Sequence, residues 1–326
     1  MTRRAALCAA ALALACAAPA HEPAFDAPLV QITEGRPAMG TVLEITLVAA
    51  DEATAHAAIE RCFAEALRLE MIFTTWRDDG ELARLNALAG RGAQRASPEL
   101  VRILRDAQRL ARDTGGAFDV SVAPLLALWR EGERTQTLPS AQRIAAARAR
   151  VGAARIGIDE ARGTVALEAG MSLDLGGIAK GWALDRLGES LRAEGFERVL
   201  LDFGGSSLHA RGSPLDARAW RVAAADGEIL ELGDADLSFS SSLGQSVEVA
   251  GERFGHIVDP RTGEPISRAV SVSVAAPNGA IAEGFSTALV VLGREGLTQE
   301  LCAAGLRVRL EQDGHTYSTE CAGDPK

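Results

Sequence analysis

The sequence predicts an α+β fold with mixed or antiparallel sheets and packed helices, and three observations carry that prediction. Apolar residues recur at helical spacing over residues 52–73 (Ala58, Ile59, Cys62, Phe63, Ala66, Leu67, Met71), which is the pattern of an amphipathic helix. The second half of the chain supplies short apolar runs bounded by glycine pairs, which read as strands. The two kinds of element never settle into the regular βαβ alternation that a doubly wound parallel sheet requires.

The first twenty residues read as an export leader. Arg3 and Arg4 precede an apolar run over 5–15, and Ala18-Pro19-Ala20 offers a small-x-small cleavage site. Leu14-Ala15-Cys16 also resembles a lipobox. Both readings stay open: simple cleavage after residue 20, or a lipid anchor on Cys16 that holds an exported, periplasmic protein at the inner membrane. Residues 21–36 contain prolines and lack periodicity, so they read as a tether. The folded region is expected over 37–320, as one elaborate domain or two lobes, with a short tail over 321–326.

Within that region a strand is expected over 41–48, ahead of the 52–73 helix. A helix over 98–112 has Ser97 as its N-cap and Pro98 in its first turn, and Gly115-Gly116 ends it. Helices follow over 123–129 and 140–150, then strands over 155–158 and 164–167. A strand over 171–175 leads into a helix over 179–194. Strands are expected over 198–203, 207–211, 219–224, 237–250 and 269–276. Helices over 278–292 and 294–304 precede a closing hairpin over 306–319.

Charge narrows the function. The chain carries a formal net charge of −10, and removing Arg3 and Arg4 with the leader leaves 32 basic against 44 acidic side chains. Nucleic acid is a poor partner for such a surface, because binding it depends on neutralising phosphates with Lys and Arg. An anionic small ligand would need local cations or a metal. Cys62, Cys302 and Cys321 have no zinc-type spacing. Cys62 falls in an apolar helical stripe and reads as a core thiol. Cys302 and Cys321 would be free to pair in an oxidising compartment, and the sequence leaves that open.

Three clusters hold the candidate chemistry. Leu173 to Asp185 joins a Gly176-Gly177 turn to a helix that opens with Ala179-Lys180. A turn without Cβ atoms, a helix N-terminus and a mobile cation suit a phosphate or pyrophosphate. The segment is neither a Walker A loop nor Gly-x-Gly-x-x-Gly, and the plain alternative is an ordinary strand-to-helix turn with a solvated lysine. His256-Ile257-Val258-Asp259-Pro260-Arg261-Thr262-Gly263 places an imidazole, a carboxylate, a guanidinium and a hydroxyl on one turn. Glu283 and Thr287 stand four apart on a helix and share a face; as hard oxygen ligands they suit Mg2+, although such a pair is also common on a helix surface. Weaker signals are Met39-Gly40-Thr41 at the entry to the first strand, Thr74-Thr75-Trp76 at a helix end, and Gly115-Gly116-Ala117-Phe118-Asp119.

These segments together resemble the ApbE family of flavin transferases. The resemblance runs from about Met39 to about Gly293, with Met-Gly-Thr at 39–41, Gly-Gly-Ala-Phe-Asp-Val at 115–120, Asp-Leu-Gly-Gly-Ile-Ala-Lys-Gly at 174–181, Gly204-Gly205, His-Ile-Val-Asp-Pro-Arg-Thr-Gly at 256–263 and Ala-Glu-Gly-Phe-Ser-Thr-Ala-Leu at 282–289 in order. It implies an ApbE-like, T-fold-related architecture. It also implies an enzyme that uses Mg2+ to move the FMN half of FAD onto a threonine hydroxyl of a target protein, a flavin-carrying redox subunit, with release of AMP. By the same resemblance the metal falls to Glu283, Thr287 and the carbonyl of Ala179. FAD falls to Met39, Trp76, Asp119, Gly176, Gly177, Lys180, Gly204, Gly205, His256 and Asp259, and the catalytic roles fall to His256 and Lys180. Trp76, Trp129 and Trp182 are the large aromatics available to flank the rings, with core packing as the default for each.

The chain departs from the family at Glu283, where aspartate is usual, at Ser206, and at Ser240-Ser241-Ser242 in place of Thr-Ser-Gly. Two other functions therefore stay open: a Mg2+-dependent FAD pyrophosphatase, and an FAD-binding lipoprotein without catalysis.

Overall fold

A computed structural model describes residues 28–223, 229–242, 244, 246–319 and 321. The leader with Cys16, the first part of the expected tether and residues 322–326 lie outside them. In chain order the elements are β1 Val30–Ala38, β2 Thr41–Ala49, α1 Glu52–Phe73, α2 Glu81–Ala87, β3 Gln94–Arg95, α3 Pro98–Asp113, α4 Ala123–Thr135, α5 Ala141–Arg148, β4 Gly157–Asp159, β5 Thr164–Ala166 and α6 Ala179–Ala193. Then come β6 Val199–Phe203, β7 Ser207–Arg211, β8 Trp220–Ala223, β9 Ile229–Leu232, β10 Ala235–Ser241, β11 Ser246–Val249, β12 Glu252–Gly255, β13 Val270–Ala276, α7 Gly279–Leu292, α8 Gln299–Ala303, β14 Arg307–Gln312 and β15 His315–Ser318. The fold is α+β.

An eight-stranded sheet in the order β1-β2-β6-β7-β10-β13-β14-β15 forms the frame, and every neighbouring pair in it is antiparallel. Alternation along β2 sends Leu43, Ile45 and Leu47 into the main core and Val48 to the opposite face, as a period of two demands. α1, α6 and α7 cover the first face. The β8–β9 hairpin covers part of the second, with Trp220, Val222 and Leu232 packed on Val48, Leu208, Ala210 and Leu237. A third cluster ties α4 and α5 (Leu125, Leu128, Trp129, Ile144) to Val258.

Local chemistry sets the helix starts. Asp51 caps α1 by accepting from the Thr54 amide at 2.8 Å, Ser97 caps α3 through Leu100 at 3.2 Å, and Asn278 caps α7 through Ile281 at 2.9 Å. The N-cap residue of α6, Ile178, offers no side-chain bond of its own.

Several expectations need correction. Residues 30–36, expected in a tether, belong to β1. Glu34 and Arg36 point toward α1 and hide the strand's alternation: Arg36 pairs with Glu60 and stacks on the Phe63 ring at 4.4 Å. Pro37 is tolerated because β1 is an edge strand. Residues 171–175 have the alternating burial of a strand but no ladder. Asn86 instead exchanges two hydrogen bonds with the Leu173 backbone at 2.8 and 2.9 Å, and the Asp174 amide reaches Val120 at 2.8 Å. The expected 237–250 strand divides into β10 and β11, and the expected 294–304 helix is a 3-10 turn at Gly293–Gly296 followed by α8. Cys302 and Cys321 are disulfide-bonded, so position 321 is fastened to α8 and not part of a loose tail. Cys62 is buried, and burial pushes its thiol up to about 12, in keeping with an inert core position. Among the described residues no helix is long and apolar enough to cross a membrane.

Candidate active site

The helix-facing side of β7 and β10 is polar where the rest of that face is apolar. Cross-strand pairing sets Ser207 opposite Ser238 and His209 opposite Asp236, so all four point toward α6 and α7. Ser286 on α7 meets Ser238 Oγ at 3.0 Å and Ser240 Oγ at 2.7 Å, and donates to the Glu283 carbonyl at 3.0 Å. His209 Nδ1 lies 2.6 Å from Asp236, whose second oxygen accepts from Arg211 at 2.6 Å. Pairing is what makes such buried polar groups tolerable, and among the described residues Ser207 Oγ is the buried side-chain atom left without a partner.

Against this strip the first turns of α6 and α7 cross. Lys180 donates to Glu283 Oε1 at 2.8 Å, and the Gly181 amide donates to Glu283 Oε2 at 2.7 Å. Glu283 is 3% exposed, which makes this pair unlike the many Arg–carboxylate pairs on the surface. Exposed pairs contribute about 0–1 kcal/mol, whereas breaking a buried one leaves an uncompensated charge. Thr287 follows one turn later. A Cβ built on Gly177 would lie 3.1 Å from Thr287 Oγ1 and 3.3 Å from the Phe118 ring, so the glycine keeps this approach open. Ala179 is buried beside them at the start of α6.

The other sequence-predicted residues lie on turns, some of which connect to this crossing. Phe118 connects Gly177 to the Gly115–Asp119 turn. The Asp119 carboxylate itself is engaged with Ser121 and with the Ala153 amide at 2.8 Å, where it holds the loop. Gly116 faces Arg261, which chelates Asp259 through two bonds of 2.9 and 2.8 Å; Asp259 raises the Arg261 guanidinium above its ordinary value through this hydrogen bond. His256 follows β12 and is exposed. Its loop is seated on α4, where Trp129 donates from its indole to the Gly263 carbonyl at 2.9 Å. Met39 and Gly40 adopt φ of 52° and 77° in the β1–β2 turn, with the Met39 amide given to Glu70 at 2.7 Å. Gly204 and Gly205 turn between β6 and β7 at φ 60° and 69°, and a Cβ on Gly204 would strike Thr41 Oγ1 at 2.3 Å. The Met39–Thr41 and Gly204–Gly205 turns are therefore in contact, and Ser206 links them to the serine strip through Ser238.

Among the tryptophans, Trp129 and Trp182 are buried, and Trp182 donates to Asp106 at 3.1 Å. Trp76 is 80% exposed and carries the Arg130 guanidinium over its ring at 5.0 Å.

Two sets of side chains raise the question of a metal. Asp185, His209 and Asp236 bring their ligand atoms within 4.8 Å of one another. That set is already satisfied: Asp236 is held by His209 and Arg211, and both oxygens of Asp185 accept amides of α7, from Gly279 at 2.6 Å and Ala280 at 3.0 Å. Glu283 and Thr287 offer oxygen donors only, beside a glycine that leaves room, and their donor chemistry fits a hard divalent cation. Glu283 is engaged too, by Lys180 and the Gly181 amide, so a cation there would have to share its carboxylate with the lysine or displace it. Gly181, Gly279 and Asp185 were missed in the sequence. The signal was available: Gly181-x-x-x-Asp185 and Gly279-x-x-x-Glu283 share one spacing.

The chain is thus an α+β protein in which a lysine, hard oxygen donors and close-approach glycines meet where two helices cross on an antiparallel sheet. A sequence model of the ApbE family matches residues 39–307, and the chain belongs to that family. It is 33% identical to a Klebsiella pneumoniae protein named FAD:protein FMN transferase, over 97% of this chain and 94% of that one. Solved structures agree. The flavin transferase ApbE from Vibrio cholerae superposes with a TM-score of 0.75 at 27% identity, over 90% of this chain and 98% of that one. The apo flavinyl transferase ApbE of Pseudomonas stutzeri gives 0.78 at 29% identity, over 91% and 97%.

Proposed function

We propose that this chain is an FAD:protein FMN transferase that moves the FMN part of FAD onto a threonine hydroxyl of a target protein and releases AMP. The observation that carries the reading is the convergence of Lys180, Glu283 and the Gly177–Thr287 contact where α6 begins, in a chain whose named relatives have this activity.

The reaction breaks the pyrophosphate bond between the FMN phosphorus and the oxygen that leaves with AMP. It forms a bond from that phosphorus to the threonine oxygen, and the threonine proton must go to a base. Phosphoryl transfer of this kind depends on positioning and on neutralising phosphate charge. Glu283, Thr287 and the Ala179 carbonyl would hold Mg2+, which supplies charge neutralisation to the pyrophosphate. Lys180 stands in the first turn of α6 and supplies a second cation. The glycine turns at 176–177 and 204–205 let the nucleotide approach the backbone closely. His256 would take the hydroxyl proton, on a loop that the Asp259–Arg261 pair braces. Met39, Trp76 and Asp119 would border the nucleotide, with Trp76, 80% exposed, as an aromatic surface for a ring.

The leader supports export to the periplasm, with Cys16 as a candidate lipid anchor to the inner membrane, and the target is a flavin-carrying redox subunit. The test is intact-mass analysis of an acceptor domain after incubation with the chain, FAD and Mg2+, with AMP assayed in parallel. A mass gain equal to FMN, matched by AMP and abolished by EDTA, is the expected result. AMP and free FMN without a labelled acceptor would make it a pyrophosphatase, and bound FAD without either product a carrier.

A further inference from the structure

α6 and α7 touch through two glycines. A Cβ on Gly181 would lie 2.1 Å from the Gly279 carbonyl oxygen, and one on Gly279 would lie 2.5 Å from the Gly181 oxygen. Each glycine stands four residues ahead of a carboxylate, and each carboxylate caps the other helix. Glu283 of α7 accepts the Gly181 amide at 2.7 Å, while Asp185 of α6 accepts Gly279 and Ala280 at 2.6 and 3.0 Å. The crossing is thus a reciprocal lock with local two-fold character, and only its Glu283 half belongs to the site described above.

We propose that Asp185 is a positioning residue for the cation site: its grip on the first turn of α7 sets the register of that helix on α6 and so delivers Glu283 to Lys180 and Thr287 to the Gly177 turn. The proposal rests on the reading that Glu283 and Thr287 hold a divalent cation. Three features of the surroundings favour a positioning role over a ligand role for Asp185. Both of its oxygens face amides of a helix N-terminus, where a carboxylate is favoured and a cation is not. Arg211 already supplies positive charge to Asp236 next door. His209 abuts Gly188 so closely that a Cβ there would lie 2.3 Å from Nε2, which seats α6 closely on β7. Outer partners of this kind cost roughly 10–100-fold in metal affinity when removed.

The experiment is calorimetric titration of Mg2+ into the chain without FAD, for the wild type and for Asp185→Ala, Asp185→Asn, Glu283→Ala and Asp106→Ala. Asp106 also bonds a side chain of α6, the Trp182 indole, and its other side-chain partner is Arg109, with no hydrogen bond to α7 among the described residues. Its variant therefore reports loss of a hydrogen bond to α6 without loss of the α7 cap. Asp185→Ala should weaken Mg2+ at least tenfold. Asp185→Asn should recover part of that loss, because its carbonyl oxygen still accepts the Gly279 amide, and Asp106→Ala should bind as wild type. If Asp185→Ala does not fold, Asp185→Asn decides: an affinity between wild type and Glu283→Ala supports the proposal. Wild-type affinity in either folded Asp185 variant, with binding lost in Glu283→Ala, would overturn the positioning role alone. No Mg2+ binding by the wild type, or binding unaffected by Glu283→Ala, would overturn the cation site and this inference together.

Discussion

Lys180 and Glu283 grip one another across the crossing of two helices, Nζ to Oε1 at 2.8 Å, so the residue expected to bind nucleotide sits on the residue expected to bind metal. A cation that takes Glu283 must share or displace the lysine. The freed ammonium would then be available to phosphate, and on the proposed function loading of the metal and of the nucleotide would be linked. Lys180→Met removes the competing charge and leaves a buried carboxylate in need of a cation. Mg2+ affinity without FAD should rise, by about tenfold on the scale of typical coupling between ligands, while FAD affinity falls. Calorimetry with each ligand separately checks both arms, and a variant that binds Mg2+ more weakly would contradict the competition.

Gly181→Ala should separate the helices. The new Cβ would meet a backbone oxygen at 2.1 Å, and backbone cannot step aside as the end of a long side chain can. Overpacking of this sort costs about 1–3 kcal/mol, and the upper end is expected where backbone must yield. Denaturant titration measures the loss, and Gly279→Ala should behave alike.

His256 is exposed and belongs to a loop held independently by Trp129 and the Asp259–Arg261 pair. His256→Ala should therefore fold normally and bind FAD with little change, while transfer to the acceptor slows by about 100-fold or more, as for loss of a general base. Equal losses in binding and transfer would make it a binding residue instead.

Stability should depend on pH through Asp185. Burial raises its carboxyl from 3.8 to about 7, against the lowering effect of the Ala280 and Gly279 amides and with help from Asp236 and Glu189. His209 and Arg211 are the cationic or potentially cationic side chains on the neighbouring strand β7, both engaged with Asp236. A raised value means that the folded state holds a proton the unfolded chain releases. The contribution is fully present below about 4 and is lost progressively as the pH rises to about 7. Unfolding free energy measured for wild type relative to Asp185→Asn should fall across that window and level off above it. A flat difference would show that Asp185 is ionised throughout.

The sequence revealed most of the helices because their signals are local. The 52–73 helix, with its stripe of apolar residues, was legible to the residue, and Ser97-Pro98 announced α3. β1 was not legible because Glu34 and Arg36 occupy its inner face, and charged residues there look like a linker until the Phe63 ring and Glu60 that receive Arg36 are seen. Residues 171–175 misled in the other direction. Their alternation is real, but the partner is the Asn86 side chain, eighty-seven residues away from Leu173. The site turns could be picked out one at a time from their glycines. Their meeting could not, because it depends on Gly181 touching Gly279 and on Asp185, an acid on a helix that otherwise reads as surface charge.

The unequal burial of the tryptophans has an optical consequence. Of the four indoles in the chain, Trp129, Trp182 and Trp220 are walled into cores, while Trp76 lies open beneath Arg130. Intrinsic emission is thus three shielded signals plus one that meets water, and small collisional quenchers in solution can reach only the last. A flavin ring that displaced Arg130 from Trp76 would quench that indole by contact, and because flavins absorb where indoles emit it would also dim the buried ones by energy transfer, to a degree set by their distance. The molecule carries its own label for following occupancy in real time.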